Sequence, residues 1–222
     1  GEFHNIMLYN RHAAGHVVTD DEIVAFYRHA WNLGEQIGIA IGMEIHIYMW
    51  SEDPRRITPV AEKVRASGIP FHFVLDHSHA LLKIDNPEEQ DVVGIRAQVE
   101  SGQLVIDPYE PGNVIDDWIG QNMVHWLQIR PVSPDGPQNL WEMKDNGHYG
   151  RAVQYPFLRP RAGEWHSPWT AWRVEPCKEV VRRMLRHHFS NPDSPLRYIT
   201  TDMIDMPDYG GGARYSLFEQ NV

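Results

Sequence analysis

Two segments of the chain alternate apolar and polar residues with a period of two and end on carboxylate or imidazole side chains. In GMEIHIYM, residues 42–49, an extended backbone puts Met43, Ile45 and Ile47 on one side and Glu44 and His46 on the other. In FHFVLDHSH, residues 71–79, Phe71, Phe73 and Leu75 share one side, and His72, Val74 and Asp76 share the other. Both strands would bury apolar residues outward and aim carboxylates inward. A barrel of parallel strands wrapped in helices gives that pattern a use, because its reactive groups gather at the carboxyl ends of the strands.

The remaining periodicities alternate strand with helix, the signature of an α/β fold with parallel strands. A short apolar strand near Ile6–Tyr9 leads to Thr19 or Asp20, either one a helix cap, with Asp21 and Glu22 in the first turn. The helix spaces Ile23, Phe26, Tyr27, Ala30, Trp31 and Leu33 along one face and stops at Gly38. After the Glu44 strand, a helix opens near Pro54, carries Ile57, Val60, Ala61 and Val64, and ends at Gly68. The Asp76 strand follows, then a helical stretch near Pro87–Ser101 and a Pro/Gly/Asp-rich loop whose strand-like part is Leu104–Ile106. MVHWLQIR, residues 123–130, reads as another strand. Residues 131–168 are rich in Trp, Pro, Gly and His with little periodicity, as in a binding loop or lid. A helix over about Trp169–His188 and a last strand in RYITTDMID, residues 197–205, precede a glycine-rich polar tail.

Five strands and at least four helices are fewer than the eight of each that a barrel of about 250 residues holds. The fold class expected is a (β/α)8 TIM barrel in one domain over residues 1–222, with this chain as its larger, carboxyl-terminal part; an open sheet is the alternative. Unpaired strand edges are avoided in folded proteins. Preceding sequence, or a small second subunit, is therefore expected to complete the barrel.

Composition narrows the function. A formal charge of −10 with no Lys/Arg stripe argues against a nucleic-acid partner. No apolar run is long enough to cross a bilayer. Cys177 is the one cysteine, so no internal disulfide forms; an inert thiol in a reducing, cytoplasmic compartment is expected. Thirteen histidines supply metal ligands or general bases near neutral pH.

Inward residues at four strand ends then form a ligand set for a hard divalent cation: Glu44, Asp76, a residue of the third strand, and Asp202. In the third strand, parity turns Trp126, Gln128 and Arg130 inward, which favours Gln128; His125 is the chemically attractive second choice. Mn²⁺ is the first expectation, with Mg²⁺, Co²⁺ or Zn²⁺ as alternatives. His46, on the same side as Glu44, can take a proton from a substrate held there. His79 and Trp126 are candidate substrate contacts, and Arg130 can steady an oxyanion. Of eight tryptophans, Trp118, Trp126, Trp141, Trp165, Trp169 and Trp172 lie between positions 118 and 172, where they can wall a pocket for a sugar or flat aglycone or form a small core of their own.

On MEIH with Glu44, VLDHSH with Asp76 and His79, and ITTDMID with Asp202, residues 36–205 resemble the xylose isomerase-like TIM-barrel superfamily of sugar isomerases, ketose epimerases and abasic-site endonucleases. The resemblance implies a divalent metal at these positions and a substrate contact from the His after the Asp. Asp202 stands where the epimerases carry a second metal-bound Glu. The His beside the Glu and the aromatic loop look most like the catalytic subunit of the C-glycoside deglycosidases, which implies loss of a ring proton next to the ketone of a 3-oxo-glycoside and elimination of the aglycone. A sugar isomerase or epimerase, an abasic-site endonuclease and a non-catalytic carbohydrate-binding or assembly subunit are the competing expectations.

Overall fold

The computed structural model describes residues 1–136, 147, 154–165, 168–204 and 216. Five parallel strands form one sheet among these residues, in chain order: β1 (Phe3–Ile6), β2 (Ala40–Glu44), β3 (Phe73–Asp76), β4 (Val124–Ile129) and β5 (Tyr198–Thr201). The α/β alternation expected from the periodicity is present. The complete (β/α)8 barrel is not: the described residues hold five strands, and their sheet curls into a half-barrel. Alternation specifies parallel neighbours, but it carries no count of strands. Much of the chain length goes instead into connections, above all the stretch between β3 and β4, which holds four short helices and no strand.

Helix α1 (Asp20–Ile37) starts where the cap signal placed it. The Thr19 hydroxyl accepts from the Glu22 N–H, the Glu22 carboxylate accepts from the Thr19 N–H at 2.8 Å, and Gly38 closes the helix at a left-handed φ of 69°. Ile23 and Tyr27 are buried, whereas Leu33, expected on the same face, is exposed. Helix α2 (Pro54–Ala66) is capped by Asp53 and buries Ile57, Val60, Ala61 and Val64 as expected. The stretch expected as one helix to Ser101 is two, α4 (Pro87–Val92) and α5 (Arg96–Glu100), separated at Gly94 with φ 65°. They follow a single turn of helix, α3 (Ser78–Leu81). Leu104 and Ile106 are buried without forming a strand. Helix α6 (Val114–Gly120), capped by Asn113, was not foreseen. Helix α7 (Glu175–Ser190) begins after a 3₁₀ turn at Ala171–Val174, later than expected. No helix among the described residues is long and apolar enough to cross a membrane.

The sheet has two different faces. Met43, Phe73, Leu75 and Leu127 join Ile23, Tyr27, Ile57, Val60, Ala61 and Val64 of the helices in one buried apolar core. Residues paired across parallel strands point to the same side, and the registers Asn5↔Gly42, Glu44↔Val74, Val74↔Trp126, Asp76↔Gln128 and Gln128↔Thr200 gather the polar groups on the other face. A register shift where Phe73 faces Val124 but Val74 faces Trp126 leaves His125 as the extra residue of a bulge.

Gly42 lies on the polar-group face under the Phe3 ring, and a Cβ there would meet that ring and stand 3.2 Å from Val74 Cγ2. Gly42→Ala is expected to destabilise the protein by about 1–3 kcal/mol through overpacking, read from the midpoint of urea unfolding. The α1 cap gives a second test. Hydrogen bonds from the Thr19 backbone, His16 and the Thr19 side chain hold the Glu22 carboxyl down at about 2. A depressed carboxylate contributes stability that is complete above its ordinary pKa and is lost as pH falls toward the folded value. Glu22→Gln is therefore expected to melt below the parent at neutral pH and to match it near pH 2 in a series of thermal scans.

Candidate metal centre

Glu44 ends β2 and Asp76 ends β3, so sheet geometry alone brings two carboxylates together at the carboxyl edge. His79 joins them from α3, and one ligand atom from each of Glu44, Asp76 and His79 lies within 4.8 Å of the others. All three are buried, Asp76 completely. The Ser78 hydroxyl donates to Asp76 Oδ1 at 2.6 Å and the Ser78 N–H to the same oxygen at 3.0 Å, which fixes the carboxylate and starts the helix that presents His79. Asn5 Nδ2 donates to Glu44 Oε2 from the neighbouring strand.

Charge is the dominant fact of this site. Arg130, just beyond β4 and 2% exposed, places Nη2 3.0 Å from Asp76 Oδ2 and also pairs with Asp202. Two carboxylates thus pair with the guanidinium, and the third, Glu44, feels its charge only through space. Burial pushes Glu44 up to about 7; Asn5 opposes that, while the charges of Asp76 and Asp202 add to it. Burial also disfavours the Asp76 carboxylate, but Arg130 and then His79 outweigh it and hold its carboxyl well below the usual range. Burial lowers His79 to about 4, against the pull of Asp76. His79 Nε2 stands 3.3 Å from Asp76 Oδ2, an ion-pair distance, and neither ring nitrogen makes a hydrogen bond of good geometry with a described residue. Gln128 Oε1 is likewise buried and unpartnered.

These unpartnered buried lone pairs beside an excess of carboxylate fit a hard or borderline divalent cation. Glu44, Asp76 and His79 would hold it, with Gln128 next to Asp76 in register.

The expected ligands divide accordingly. Glu44 and Asp76 converge, and His79, expected as a substrate contact, stands with them. Gln128 is on the correct face beside Asp76. Asp202 lies outside the trio, half-buried and turned to Arg130. His125 is well away: its bulged ring stacks on His72 with centroids 3.7 Å apart and on Phe3 at 5.9 Å. His72 precedes Asp76 by four residues, about 13 Å of strand. Arg130 pairs with Asp76 and Asp202 through Nη2.

His46 reaches the site by another route than parity. Strand β2 ends at Glu44, and a turn over 46–49, closed by the Met49 N–H to His46 O bond at 3.3 Å, lays the His46 ring against His79 with centroids 4.3 Å apart. His46 Nδ1 is 2.7 Å from Ile47 O. A carbonyl only accepts, so Nδ1 carries the hydrogen and Nε2 keeps the lone pair in the uncharged ring.

Among the described residues the tryptophans lie in several separate places. Trp118 is a core residue against Phe73, and Trp165 and Trp169 pack with Tyr155 in a small core of their own. Trp172 is exposed, and Trp141 lies outside the described residues. Trp126 sits on the site face one pleat below Gln128, bonded through Nε1 to Thr200 Oγ1 at 2.8 Å and edge-on to Phe3 and Tyr198. Asn5 escaped sequence reading, although its parity within β1 would have placed it beside Glu44. The lone thiol is buried, and burial pushes it up to about 12, which suits the inert role expected of Cys177.

No protein-family model, curated protein or solved structure matches the chain.

Arg130→Met is expected to cost about 3–5 kcal/mol by leaving Asp76 buried and unpaired, as read by urea unfolding. Added Mn²⁺ should recover more stability in this variant than in the parent, because a ligand that binds only the folded state stabilises it.

Proposed function

We propose that the protein is a divalent-metal-dependent carbohydrate enzyme that removes a proton next to a sugar carbonyl and acts as a lyase, releasing the aglycone of a 3-oxo-glycoside. The observation that carries this reading is the buried Glu44–Asp76–His79 trio with the lone-pair-bearing His46 ring against it. A divalent cation held there supplies Lewis acidity toward a carbonyl oxygen. Mn²⁺ suits a mixed carboxylate and imidazole donor set.

The protein's own residues account for the rest. Asn5 and Ser78 hold the two carboxylates in position, and Arg130 keeps Asp76 ionised. His46 Nε2 accepts the proton from the ring carbon beside the ketone as that C–H bond breaks. The electron pair moves toward the carbonyl and, on its return, breaks the bond to the aglycone, which departs carrying the proton that His46 Nε2 took up and now gives back. Burial of Glu44, Asp76 and His79 excludes water and strengthens each of these electrostatic contacts. Acidic composition opposes the endonuclease alternative, since a DNA groove needs clustered cations.

Incubation with 3-oxo-glycosides and with free ketoses in the presence of Mn²⁺ should release aglycone from the former. His46→Gln is expected to lower kcat about 10²–10⁴-fold while Mn²⁺ affinity stays near that of the parent. Ketose isomerisation without aglycone release would replace the lyase with an isomerase, and absence of both turnover and Mn²⁺ binding would leave a non-catalytic carbohydrate-binding or assembly subunit.

A further inference from the structure

The peptide unit between Ile47 and Tyr48 is held at both ends. Its carbonyl accepts from His46 Nδ1 at 2.7 Å, and its N–H donates to Glu52 Oε2 at 2.6 Å. Glu52 is 4% exposed, and its other oxygen faces the fully buried Lys83 Nζ at 3.5 Å; Lys83 also stands 3.6 Å from Glu89. Tyr48 has φ 67°, the left-handed value taken by the third residue of a type II turn and uncommon for a side chain other than glycine. Its ring is half exposed, so core packing of the side chain does not impose this conformation.

We infer that Glu52 is a positioning residue for His46: its carboxylate, clamped by Lys83, fixes the Ile47–Tyr48 peptide so that the His46 ring is held as the Nδ1–H tautomer with Nε2 toward the site. The arrangement resembles in logic a carboxylate behind a catalytic imidazole, with one peptide group interposed. A charged acceptor on the N–H strengthens the bond made by the carbonyl at the other end, because hydrogen bonds in a chain polarise one another. Lys83 follows α3 and Glu52 follows β2, so the pair also ties the loop that carries His46 to the turn of helix that carries His79.

This inference rests on His46 acting as the base only for its kinetic consequence; the tautomer is testable alone. In protein labelled with ¹⁵N-histidine, the His46 ring signals, assigned by their loss in His46→Gln, should show protonated Nδ1 and bare Nε2. Glu52→Gln keeps an acceptor for the Tyr48 N–H but removes the charge, and should shift His46 toward a mixture of tautomers. In a turnover assay the same variant should lose about tenfold or more in kcat with KM little changed, and Glu52→Asp should recover part of it. If Glu52→Gln fails to fold, Glu52→Asp, which keeps the charge but draws the carboxylate back from the Tyr48 N–H, should give a smaller shift toward the same mixture. A His46 ring that stays wholly Nδ1–H in either variant, or that is Nε2–H in the parent, would overturn the inference. If substrates are not turned over at all, the ring signals still decide it.

Discussion

Three carboxylates, two of them paired with one guanidinium, at the buried edge of a parallel sheet, are the constraint on which the rest of this site depends. Asp76 pairs with Arg130 and stays ionised, while Glu44, with less compensation, is driven up by burial. Buried charge that is not neutralised is costly. Among the described residues the arrangement carries more carboxylates than cations, and its unpartnered His79 and Gln128 lone pairs point to what would complete it.

The fold serves this edge directly. Helix-side residues Met43, Phe73, Leu75 and Leu127 lock three strands into the core, and the alternate residues have no choice but to face the other way. Phe3, His72, His125, Trp126 and Tyr198 form an aromatic and imidazole layer on that second face, below the carboxylates. Position along the strand thus separates two chemistries: rings stacked on one another toward the amino ends, charge at the carboxyl ends.

How much of this was legible follows from which residues obey strand parity. Glu44, Asp76 and Gln128 do, and their common face could be read from the chain alone. His125 sits in a bulge, which inserts one residue and defeats counting. His46 lies beyond the end of β2 and arrives through a turn that needs a left-handed Tyr48, a conformation that nothing in the local residue types announces. His79 depends on the Asp76–Ser78 hydrogen bonds that start α3. Strand and helix alternation was visible, but the number of strands was not, because alternation is a local property and closure of a sheet is a global one. Helix α6 went unseen although Asn113 caps it by accepting from the Asp116 N–H, a signal too short to stand out in a Pro/Gly-rich stretch.

Occupancy of the Glu44–Asp76–His79 group by a divalent cation is the claim that everything functional leans on. Crystals soaked in Mn²⁺ and measured near the manganese absorption edge test it most directly. The account predicts one anomalous peak within about 2.0–2.6 Å of a Glu44 oxygen, an Asp76 oxygen and a His79 ring nitrogen. No peak at saturating Mn²⁺, or one bound elsewhere while these three side chains keep their present contacts, would contradict it.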